Sequence, residues 1–122
     1  MQKILILNEH SGLLEILEII LFHKGYYVIS DVSLSELSNV ILKHQPSLMI
    51  LHYFSGRQEV KLYHDAIQMD PYARCIPILI IAQEGETFDG FGTSKNNYFI
   101  PKRLNTKDLV DTIENLLKAG YE

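Results

Sequence analysis

Apolar residues along this chain fall into short continuous runs, separated by longer stretches in which they recur at helical spacing. Ile4-Leu5-Ile6-Leu7 is such a run, as expected of a strand covered on both faces. Ser11 is placed to cap a helix with a buried stripe of Leu13, Ile16, Leu17 and Ile20, leaving Glu15, Glu18 and Phe22 on its outer side and Gly25 as its stop. Tyr27-Val28-Ile29 reads as a second strand. Ser33-Leu34-Ser35-Glu36 has capping-box spacing, and Leu34, Leu37, Val40 and Ile41 supply the helical face that follows, up to Pro46. Leu48-Met49-Ile50-Leu51 is a third run and delivers His52 at its carboxyl end.

A helix from Gln58 to Gln68 would bury Val60, Tyr63 and Ile67, and Pro77 introduces a fourth run, Ile78-Leu79-Ile80-Ile81. The stretch from Gln83 to Asn97 differs from the rest: it carries Gly85, Gly90 and Gly92 and is poor in aliphatics, so the helix expected there is short or irregular. Tyr98-Phe99-Ile100 is the last strand candidate. Asn105 or Thr106 can cap a final helix with Leu109, Val110, Ile113, Leu116 and Leu117 on one face, closed by Gly120. Strands alternating with helices imply parallel pairing and a doubly wound, three-layer α/β/α sheet. In such sheets the functional crevice lies outside the carboxyl ends of the strands, which here means Asn8, Glu9, His52, Ala82 and the residues after Ile100.

Composition narrows the classes. At 122 residues the chain fits one domain, 1–122, with a single fold unit. A formal charge of -4 argues against an electrostatically driven nucleic-acid binder. The single cysteine, Cys75, excludes an internal disulfide and a multi-cysteine metal site, and it reads as a partly buried small residue with no adjacent base. The opening apolar run turns polar at Asn8, too early for a signal peptide, and no apolar run is long enough to span a bilayer. The expectation is a cytoplasmic domain without membrane contact.

The residues at the strand ends resemble those of a response-regulator receiver domain, the phospho-acceptor module of two-component signalling. Lys3 to Glu9 is similar to the first strand and the acidic pair that ends it; Pro46 to His52 to the third strand, which in the family ends at the phosphorylated aspartate. Ile76 to Ala82 resembles the fourth strand, ending in Thr or Ser in the family, and Phe99 to Leu109 resembles the lysine-proline segment and the start of the last helix. The resemblance implies a flavodoxin-like fold with a five-stranded parallel sheet in the order 2-1-3-4-5. It places Asn8 and Glu9 at the acidic pair, His52 at the nucleophile, Ala82 at the hydroxyl, Lys102 at the lysine and Phe99 at the aromatic switch. A second register would put Pro101 at the lysine and Tyr98 at the switch; Lys102 is preferred because it also aligns Leu104 and the helix run to Leu109.

The departures point to a degenerate receiver. Only Glu9 remains of the family's three pocket carboxylates, Ala82 has no hydroxyl, and Arg103 replaces the proline, so no cis bond is expected there. Magnesium prefers oxygen ligands in near-octahedral array, so its binding is expected to be weak or absent. The resemblance thus implies a pseudo-receiver in a phosphorelay pathway that works by protein–protein interaction with a histidine kinase or an output protein and has no enzyme activity. Its partner face would include the stretch from Gln83 to Asn97, Tyr98, Lys102, Arg103 and the outer side of the last helix. A homodimer would use the face built from Gln83 to Leu117.

Rival readings use the same residues. The crevice could serve a small ligand or a transition metal held by Glu9, His10 and His52, since imidazole and carboxylate suit zinc or nickel. His52 could take a phosphoryl group itself, which requires an exposed ring nitrogen; an imidazole satisfied by Asn8 or Glu9 is the plainer account. Glu9 and Lys102 could form an ion pair where the family holds its cation. His23, His44 and His64 read as solvated helix residues. Gly90 to Lys95 lacks the spacing and the following helix of a phosphate-binding Walker loop.

Overall fold

The computed structural model describes residues 2–7, 12–53, 58–82, 97–101 and 105–119. The elements run β1 (Lys3–Leu7), α1 (Gly12–His23), β2 (Tyr27–Val32), α2 (Leu37–His44), β3 (Leu48–Tyr53), α3 (Gln58–Met69), β4 (Ile78–Ala82), β5 (Asn97–Pro101) and α4 (Thr106–Ala119). Short 3-10 turns at Leu34–Glu36 and Ala73–Cys75 lead into α2 and towards β4. The five strands pair in parallel in the order β2-β1-β3-β4-β5. This is the flavodoxin-like arrangement expected from the sequence. Of the stretch Gln83 to Asn97, in which a short or irregular helix is expected, Asn97 opens β5 and residues 83–96 lie outside the described residues.

Strand side chains alternate between faces, and the alternation sorts the core into two layers. Leu5, Leu7, Met49, Leu51, Ile78 and Ile80 pack on one side against Leu37 and Ile41 of α2 and Tyr63 and Ile67 of α3. Ile4, Ile6, Leu48, Ile50, Leu79 and Ile81 pack on the other against Leu14, Leu17 and Leu21 of α1 and Leu109, Val110, Ile113 and Leu117 of α4. The continuous apolar runs are thus strands buried on both faces.

Helix ends follow local chemistry. Gly25 takes φ +95° and closes α1 with a Schellman pair: its N–H donates to Phe22 O (3.0 Å) and that of Tyr26 to Leu21 O (3.1 Å). Asn105 caps α4, its Oδ1 accepting from the Asp108 N–H at 2.8 Å. The Ser33–Glu36 spacing produces the 3-10 turn, but the Ser33 hydroxyl donates to the Glu36 carboxylate (2.7 Å) and makes no hydrogen bond to the backbone as a capping box would. Strand β2 runs on to Val32, beyond the three residues expected.

The phase of α1 differs from expectation. Leu14, Leu17 and Leu21 are buried, whereas Ile16 is 50 % exposed and Ile20 only partly covered. The helix sequence GLLEILEIILFH is apolar on nearly every side, so periodicity alone leaves its buried face undetermined.

Candidate functional site

The carboxyl edge of the sheet gathers the ends of β1, β3, β4 and β5. Leu7 of β1 lies level with Leu51, one residue before His52. His52 is paired in register with Ile81, Tyr53 with Ala82, and Ala82 with Pro101. His52, Ala82 and Pro101 therefore stand on three adjacent strands at the edge where ligands of such sheets bind. Phe99 and Tyr98 sit further down β5, level with Ile80 and Leu79. Asn8, Glu9, His10, Lys102 and Arg103 lie outside the described residues, so the expected Glu9–Lys102 pair and the Glu9, His10 and His52 metal set do too.

His52 is 2 % exposed. Along β3, Leu48 and Ile50 belong to the layer beneath α1 and α4, and the two-residue period carries His52 to that same side, as its partner Ile81 confirms. The imidazole is thus an extension of the core. Ala82 beside it supplies no hydroxyl to hold a phosphoryl oxygen.

Of the described residues at this edge, His52 carries an imidazole and Ala82 has no side-chain heteroatom. Among the described residues, no three His, Cys, Asp or Glu side chains are grouped to hold a metal ion.

Two described groups titrate away from their ordinary values, and both lie towards the opposite, amino edge. Burial pushes the Tyr26 phenol up, helped by its hydrogen bond to Glu114 (3.1 Å), whose other oxygen meets Lys24 at 3.5 Å. The Asp70 carboxyl is held down by the N–H groups of Ala73 (3.1 Å) and Tyr72 (2.9 Å), with Ser38 donating at 3.4 Å. They fasten turns rather than the strand-end edge.

Two sequence expectations are corrected. His64, expected to be solvated, is 1 % exposed, with its Nδ1 4.0 Å from an Asp65 oxygen. The signal was present: position 64 lies within the stripe of 60, 63 and 67. Cys75 is exposed instead of partly buried, because the 3-10 turn at Ala73–Cys75 buries Ala73 and turns the next two residues outward. His23 is exposed as expected, and His44 is half-buried, its ring stacked on Tyr27 at 6.1 Å.

No protein-family model and no curated protein matches the chain. Solved structures do. A candidate response regulator from Chloroflexus aurantiacus superposes with a TM-score of 0.76 at 23% identity, covering 96% of this chain and 98% of that one. The chemotaxis response regulator CheY4 of Vibrio cholerae gives 0.76 at 17%, covering 95% and 98%. A response regulator from Desulfuromonas acetoxidans gives 0.67 at 20%, covering 98% of each. The chain has the flavodoxin-like receiver fold, and its structural neighbours are response-regulator receiver domains.

Proposed function

We propose that this chain is a receiver-like module of two-component signalling that acts by protein–protein contact and takes no phosphoryl group. The observation that carries the reading is His52, a buried imidazole at the third-strand end, with Ala82 in the neighbouring strand. A switch needs a ligand whose affinity differs between two states. With the carboxylate nucleophile and the hydroxyl both absent, nothing at His52 or Ala82 favours a phosphorylated state. The module then presents one fixed surface, and magnesium binds weakly or not at all.

The partner is a signalling protein, a histidine kinase or an output protein, and the contact is neither nucleic acid nor membrane. The contact face is Tyr98, Lys102, Arg103 and the outer side of α4, with two cations to orient an acidic partner. No described helix is long and apolar enough to cross a membrane; we place the module in the cytoplasm, as a pseudo-receiver without enzyme activity.

Amide NMR spectra with magnesium, and then with magnesium plus beryllofluoride, test this reading. Unchanged resonances for His52, Ala82 and Phe99 are expected. Shifts centred on His52 and Ala82 and spreading to Phe99 would mean a ligand-gated pocket and overturn it.

A further inference from the structure

We draw no further inference here: the strongest candidate, the surface patch at the amino edge of the sheet where Tyr27 meets the Lys3 ammonium and the stacked ring of His44, carries nothing, because those contacts are made within the chain and nothing in the structure shows what covers it.

Discussion

Replacing His52 with aspartate restores the residue type that the third strand carries in phospho-accepting receivers, and the structure says what it would cost. At 2 % exposure, position 52 offers almost no water to a carboxylate. A buried carboxylate is destabilised by several kcal/mol unless paired. The group escapes that penalty by taking a proton, and the work of protonation sets a ceiling. From an ordinary aspartate value of about 3.9, neutralisation costs about 1.4 kcal/mol per pH unit, hence about 4 kcal/mol at pH 7 and about 1.5 kcal/mol at pH 5. Against a typical total stability of about 5–15 kcal/mol, the loss at pH 7 is large but leaves a foldable chain.

The sign is fixed by the same reasoning. Burial raises the folded-state value of this carboxyl above its unfolded value. The variant is therefore least impaired below about pH 4 and progressively worse as pH rises towards the raised value. Urea unfolding of His52→Asp and wild type at about pH 5 and pH 7 reads the difference directly, provided the slopes agree. A loss at pH 7 that exceeds that at pH 5 by about 2–3 kcal/mol is expected. A loss under about 1 kcal/mol, equal at both pH values, would show that position 52 opens to water or to a fixed cation. The pocket would then still accept a carboxylate, and the phosphorylation-independent reading would lose its basis.

Asp70→Ala removes the carboxylate that accepts from Ala73 and Tyr72 and should cost about 0.5–2 kcal/mol in urea unfolding at neutral pH. Because that carboxyl is held low in the folded state, its contribution is present above about pH 4 and is lost as pH falls through the lowered value, so wild type and variant should converge in acid. Tyr63→Phe deletes the buried hydroxyl that donates to Val32 O at 2.8 Å and should lower stability by about 1 kcal/mol, read from the thermal midpoint. Asn105→Ala removes the α4 cap and should cost about 1 kcal/mol, with faster amide hydrogen exchange confined to the first turn of α4.

The sheet was legible because its strands are buried on both faces, and such strands appear as unbroken aliphatic runs whatever their order in space. Gly25 and Asn105 were legible for a different reason: a left-handed stop and a side-chain acceptor are local chemistry. The face of α1 was not, since Leu14, Ile16, Leu17, Ile19 and Ile20 are interchangeable to any periodicity argument. Only packing against Ile4, Ile6 and α4 decides which of them is covered. His64 was misjudged by residue type, although its position in the α3 stripe pointed inward. The identities at the strand ends could be read from the chain, but the burial of His52 could not, because it depends on neighbours distant in sequence, such as Ile81 of β4.

That burial connects the fold to the proposed phosphorylation-independent function. The apolar layers extend to Leu7, Leu51 and Ile81, and the residues that would do receiver chemistry come one position later on β1, β3 and β4. The core can therefore be kept intact while residues beyond it differ, in keeping with a fold that superposes at low identity. Here His52 is 2 % exposed and lies on the same side of β3 as Leu48 and Ile50, so the packed part of the strand runs one residue beyond Leu51. Packing at that position acts continuously, whereas a phosphoryl group acts only while bound. A strand end held by packing fits a module that presents a single surface to its partner.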